Sequence, residues 1–278
     1  MRSRIVWAVV GALVAAASLS AQSNNSFPLG PPKPEPIYIL PDFVPVWETY
    51  SLQDIRMDAA RSNDRLVSCE DWTQVDPNPI TGQRVLSFTL GSPNYGLGHL
   101  RTRRTPIPEG WQYYQTYSIL NEDGTCSSYE QEIAIVPPGQ TGRWLPLGKF
   151  ALYMVDEKGG VGQQVACQIK RWCCLISIPT CSIPAPCSLP CAGDCINAGT
   201  RDVYPFHFLD QFIPIEGIPT GYYYVEHEIN PARVMVESDY ENNRLLFQIY
   251  LDQEKGSVTI TMPPEGAAQC PVFQSLFK

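Results

Sequence analysis

Histidine is nearly missing from this chain: of 278 residues only His99, His207 and His227 carry an imidazole, and no two are close in sequence. No Ser-His-Asp or Cys-His arrangement with supporting motif context is present, and no phosphate-cradling glycine loop precedes a helix. Helical periodicity is scarce too, and 26 prolines with 20 glycines exclude long helices. Basic charge is in deficit, 20 Lys and Arg against 28 Asp and Glu, for a formal net charge of -8. That excludes the basic footprint a nucleic-acid partner requires. Beyond the first 21 residues no stretch is apolar enough to span a membrane.

What is there begins with a leader. Arg2 and Arg4 precede an apolar run from Ile5 to Leu19, followed by small residues and then Gln22-Ser23-Asn24-Asn25. This is the layout of a secretory signal peptide over residues 1–21, the run being shorter than the ~20 apolar residues a spanning helix needs. Residues 22–36 carry Pro28, Pro31, Pro32, Pro34 and Pro36 and read as an extended linker. Residues 37–278 then read as one domain. Ten cysteines in a secretory context read as disulfides. Seven of them crowd between Cys167 and Cys195, in or beside an expected Cys- and Pro-rich insertion at 173–198. Cys187, Cys191 and Cys195 also have tolerable metal-ligand spacing, but no His lies near them.

From Ile37 onward, short apolar runs alternate with Gly, Pro and Asn breaks, the pattern of an all-β sandwich with long disulfide-rich loops. Expected strands are 85–90, 113–120, 132–136, 150–155, 164–169, 222–229, 245–251 and 257–262. The best short helix is Leu52–Arg61. In the strand over 222–229, Tyr223, Val225, His227 and Ile229 share one face, and Tyr222, Tyr224, Glu226 and Glu228 the other. Sheets apolar on one side pack as sandwiches.

Four segments, in order, resemble the lysyl oxidase family. Leu86 to Arg101 contains Asn94-Tyr95-Gly96-Leu97-Gly98-His99-Leu100, whose glycines suit tight turns of positive φ. Gly148-Lys149-Phe150-Ala151-Leu152-Tyr153-Met154-Val155-Asp156 is similar to a family strand. So are Asp202-Val203-Tyr204 through Gln211-Phe212-Ile213-Pro214-Ile215 and the stretch from Gly221 through Glu237-Ser238-Asp239-Tyr240-Glu241-Asn242-Asn243. The resemblance implies a β-sandwich, copper, and a lysine tyrosylquinone formed by crosslinking Lys149 to Tyr204. The family's His-x-His-x-His copper motif is lacking. Counting back from Tyr117, its positions fall near Thr105, Ile107 and Glu109. His207, three residues past Tyr204, is the best isolated metal candidate. His227 reads as a packed core residue and His99 as a surface residue.

The functional expectation is a secreted lysyl-oxidase-like scaffold that is catalytically degenerate. It would act as a binding or structural module with an extracellular or envelope protein or matrix partner, and need no cofactor. The alternative is a divergent copper- and quinone-dependent oxidase of primary amines. A bacterial adhesion-type Ig-like module is a third, purely structural reading. Three smaller constellations remain. Glu237, Asp239 and Glu241 beside Asn242-Asn243 offer either hard-oxygen calcium ligands or a turn between strands. Arg101, Arg103 and Arg104 read as an anion site or a solvated turn. Trp111, Tyr113, Tyr114, Tyr117, Tyr222 and Tyr224 make aromatic strands that pack in the core or, where exposed, grip a glycan or a protein.

Overall fold

The computed structural model describes residues 36–45, 55–137, 145–171, 178–179, 183, 186–187, 195–208 and 210–263. The expected signal peptide, nearly all of the linker and much of the 173–198 insertion lie outside the described residues. The fold is all-β. In chain order the strands are β1 (Ile37–Ile39), β2 (Arg56–Ala59), β3 (Arg65–Val67), β4 (Val75–Pro79), β5 (Arg84–Ser87), β6 (Leu90–Pro93), β7 (Leu100–Ile107), β8 (Gly110–Leu120) and β9 (Cys126–Val136). There follow β10 (Pro146–Val155), β11 (Val161–Arg171), β12 (Ile178–Pro179), β13 (Cys195–Ile196), β14 (Thr200–Tyr204), β15 (Phe212–Pro214), β16 (Gly221–Ile229), β17 (Arg244–Asp252) and β18 (Ser257–Met262).

Two five-stranded antiparallel sheets form the sandwich. One has the order β1-β8-β7-β13 with β9 paired to β8, the other the order β11-β10-β16-β17-β18. Small sheets β12-β14-β6 and β15-β5-β2, and the hairpin β3-β4, complete the set. The core draws Leu100, Tyr113 and Val136 from the first sheet and Phe150, Leu152, Val225, Phe247 and Ile249 from the second. Leu86, Phe88, Tyr204 and Ile213 come from the small sheets and the link between β5 and β6. The Phe88 and Phe150 rings meet edge to face at 4.5 Å, a favoured aromatic geometry.

Several expectations change. Arg56–Ala59, inside the expected helix, is a strand paired with β5 from Arg56↔Ser87 to Ala59↔Arg84. Cross-strand partners far along the chain outweigh a short helical pattern. The expected strand 85–90 divides into β5 and β6, which belong to different sheets. The first half of β9, from Cys126 to Gln131, has no buried residue and so gave no apolar signal. The arginine cluster lies in strand β7, not a turn. The Arg103 guanidinium stacks over Tyr114 and binds Glu130, while that of Arg104 stacks over Trp111. Gly96 and Gly98 are required for close approach, since a Cβ at Gly98 would lie 2.2 Å from the Ile39 carbonyl oxygen. Neither has positive φ.

Disulfides Cys69–Cys167 and Cys126–Cys187 tie the sheets to their neighbours. Cys195 is disulfide-bonded as well. Cys187 and Cys195 are therefore not metal ligands.

Candidate functional site

The candidate site centres on the strand β10 and its neighbours β11 and β16, where the sequence placed Lys149. Register fixes which side chains share a face. Phe150 pairs with His227 on one side and Gln168 on the other, and Gly148 pairs with Lys170. These residues face the core: the Phe150 and His227 rings are 5.0 Å apart, and a Cβ at Gly148 would sit 3.4 Å from His227 Nε2. Lys149, between Gly148 and Phe150, necessarily points the other way.

On that outer face the Lys149 ammonium donates to Glu226 Oε1 at 3.1 Å and lies 3.7 Å from Glu228 Oε2. Glu226 also accepts from the Tyr153 hydroxyl at 3.0 Å and from the Arg244 guanidinium. Burial alone would lower the Lys149 pKa, but the Glu226 charge and hydrogen bond hold it above its ordinary value. Lys149 is thus a locked, protonated partner of a buried carboxylate, the opposite of a free nucleophilic amine.

Tyr204 is 1 % exposed in the core, and the ammonium group of Lys170 lies 4.8 Å from its ring centroid. Lys170 is itself 1 % exposed. Lys149 and Tyr204 therefore sit on opposite faces of the β10–β11 sheet, and the lysine that meets Tyr204 is Lys170. Sequence reading missed it because the expected strand 164–169 stopped one residue short. Carrying the alternation one step past Ile169 is the signal that finds it. Beside this pair, Arg171 Nε donates to Asp210 Oδ2 at 2.9 Å in a buried ion pair.

The three histidines are dispersed. His207 is exposed, its ring between Phe206 and Phe208, and its carbonyl accepts from Arg61. His99 is half-buried rather than on the surface, and its Nδ1 accepts from the Ala198 amide at 3.1 Å. Desolvation first, and then the Arg101 charge, hold its pKa below the ordinary value. His227 is fully buried, neither ring nitrogen has a hydrogen-bond partner, and burial depresses its pKa from 6.5 to about 3.

Among the described residues no three His, Cys, Asp or Glu side chains gather closely enough to hold a metal ion. The residues that the resemblance sets near the triplet positions offer no substitute: Thr105 accepts from Arg103, and Glu109 is exposed. A copper centre that oxidises tyrosine wants imidazoles, so the residues described here do not fit that group.

The acidic triplet also diverges. Asp239 and Glu241 face solvent while Glu237 turns inward. Glu237 accepts from the Phe43 amide at 2.7 Å, from Asn243 Nδ2 at 3.1 Å and from Asn230 Nδ2. Burial pushes its carboxyl up to about 7, with those donors pulling the other way. The segment is a turn that stitches residues 41–43 to β16 and β17: Asn242 Nδ2 reaches Asp42, and Ser238 binds the Pro41 carbonyl.

A search of curated proteins finds no match to the chain. The family model for lysyl oxidase matches residues 144–261, the stretch from β10 to β18 that holds the Lys149 cluster, the Lys170–Tyr204 pair and the Glu237 turn. Over that stretch, less than half of the chain, the protein is similar to the lysyl oxidase family.

Proposed function

We propose that this protein is an extracellular, catalytically degenerate member of its family that serves as a binding or structural module. The observation that carries this reading is the loss of the imidazole set. The resemblance sets Thr105, Ile107 and Glu109 near the triplet positions, and the three histidines are separately employed in a loop anchor, an exposed knuckle and the core. The placement of Lys149 supports it, since its amine is held by Glu226 on the face away from Tyr204. The disulfides support secretion.

The test is to produce the protein by secretion in copper-containing medium, then measure bound copper and map its peptides by mass spectrometry. The expected result is no stoichiometric copper, with the Lys149, Lys170 and Tyr204 peptides all unmodified. One observation favours a second reading, a divergent amine oxidase: a lysine does lie against Tyr204, namely Lys170. A Lys170–Tyr204 crosslinked peptide together with stoichiometric copper would replace the first reading by this one. A Lys149–Tyr204 crosslink would contradict both the fold geometry and the degenerate reading.

A further inference from the structure

We infer that the free edge of β9 pairs with the β9 of a second copy of this chain, antiparallel and centred on Tyr129, so that two five-stranded sheets join into one. The pairing goes beyond the proposed function and holds with or without quinone chemistry. β9 is bonded to β8 on one side, and among the described residues no strand occupies its other edge. From Cys126 to Glu132 it runs opposite Leu120 to Tyr114 through seven consecutive register pairs without a shift. Every residue of that segment is exposed. A regular, exposed edge offers its unpaired backbone N–H and C=O groups to another strand.

The other sheet edges are guarded. β1 and β13 are three and two residues long. β18 has six residues, and its register with β17 shifts between Gln248 and Ile249. β11 carries the β3–β4 hairpin, tied to it by Cys69–Cys167 and by the Gln168 amide, which bonds Val67 and Arg65.

Charge selects a second copy and its register. In a two-fold antiparallel pair one residue faces itself, and its neighbours face one another in reverse order. Centring on Glu130 would set that carboxylate against itself, and centring on Gln131 would set Glu130 against Glu132. Centring on Tyr129 uses the whole regular segment and opposes no like charges. Ser128 then meets Glu130, Ser127 meets Gln131 and Cys126 meets Glu132 of the second copy. Like charges directly opposite destabilise a pair, whereas hydroxyl, amide and carboxylate partners support it. The two Glu130 side chains lie on the diagonal, and each is held by its own Arg103 guanidinium.

The aromatic residues fit the same centre. Tyr129 faces Tyr117 in register with ring centroids 5.3 Å apart, and Tyr38 lies 5.9 Å beyond. Tyr117 is 7 % exposed, but the row ends at the edge with Tyr129 at 49 %. Self-pairing brings the two Tyr129 Cβ atoms to about 5 Å and continues the row across the interface, taking ring surface out of water. The Cys126–Cys187 disulfide leaves from the opposite face of β9, three residues from Tyr129, and keeps the edge clear.

The experiment follows the full mature chain, produced without added copper, by light-scattering mass over a concentration series. Tyr129→Lys, Tyr129→Glu and, as a control on the other sheet, the exposed Tyr222→Lys are measured beside it. Unchanged thermal melts establish that each variant is folded. A two-chain mass is expected for wild type and Tyr222→Lys, and a single-chain mass for each Tyr129 variant alone, because each sets like charges face to face. Mixing Tyr129→Lys with Tyr129→Glu sets opposite charges face to face and should restore the two-chain mass. A wild type of single-chain mass at every concentration overturns the proposal. So does a two-chain mass that survives Tyr129→Lys, that Tyr222→Lys abolishes equally, or that mixing fails to restore. A two-chain mass that persists in non-reducing denaturant also overturns it, since that is an intermolecular disulfide. A copper or crosslink result bears only on the degenerate reading, so the two failures are separable.

Discussion

Replacing His227 by Leu should stabilise the protein and change the way its stability depends on pH. His227 is fully buried with both ring nitrogens unpartnered, and Leu fills a similar volume without polar atoms. Removing a buried, unsatisfied polar group is expected to stabilise by about 1–3 kcal/mol near neutral pH. The larger effect is linkage. Burial takes the imidazole from 6.5 to about 3, so below pH 6.5 the unfolded chain binds a proton the folded chain refuses. This group's contribution is therefore fully present above pH 6.5 and is lost progressively as pH falls toward 3. The gap of about 3.5 pH units, at about 1.36 kcal/mol each, amounts to about 5 kcal/mol at the acid limit and about 2 kcal/mol at pH 5. Urea unfolding followed by tryptophan fluorescence at pH 8, 6.5 and 5 measures this. The difference between variant and wild type should widen in favour of His227→Leu as pH falls, which cancels the other titrating groups. A constant difference across that range would refute the reasoning, because it would mean that the wild-type imidazole is protonated or solvated in the folded state.

Other outcomes follow from the same geometry. Glu237, raised from 4.5 to about 7, has the opposite sign: its stability contribution is present below 4.5 and lost as pH rises through 7, by about 3 kcal/mol. Glu237→Gln should remove that slope in urea melts between pH 4.5 and 8, and an unchanged slope would assign it to another group. Replacing Cys69 and Cys167 by Ser opens a loop closed across a sequence separation of 98 and should cost about 4 kcal/mol by denaturant unfolding, chiefly by freeing the unfolded chain. Gly98→Ala places a Cβ against the Ile39 backbone and should lower thermal stability by more than about 2 kcal/mol. Gly82→Ala, with positive φ but no neighbour in reach, should cost only about 1 kcal/mol.

The family match and the local pattern meet most closely in β16, where an eight-residue alternation placed Val225, His227 and Ile229 inward, as they are found. Period-2 patterning is a local property, so it survives in sequence. Elsewhere the pattern misled for identifiable reasons. Ile55 and Met57 looked helical, although strand alternation equally turns both toward the core. The strand over 85–90 breaks where the chain changes sheets, and no residue type announces that change.

By itself the sequence determined that only three imidazoles exist, that no His-x-His-x-His run is present, and that the strands are apolar on one side. Only the tertiary structure decided what those residues meet. Lys149 and Lys170 are both strand lysines, but a one-residue step reverses the face of a strand. Register therefore sends Lys149 out to Glu226 and Lys170 in to Tyr204. Glu237 is buried because the Phe43 amide, 194 residues away, comes to it. Face parity is written residue by residue. Pairing between distant strands is set by the packing of the whole core, and no local pattern encodes it.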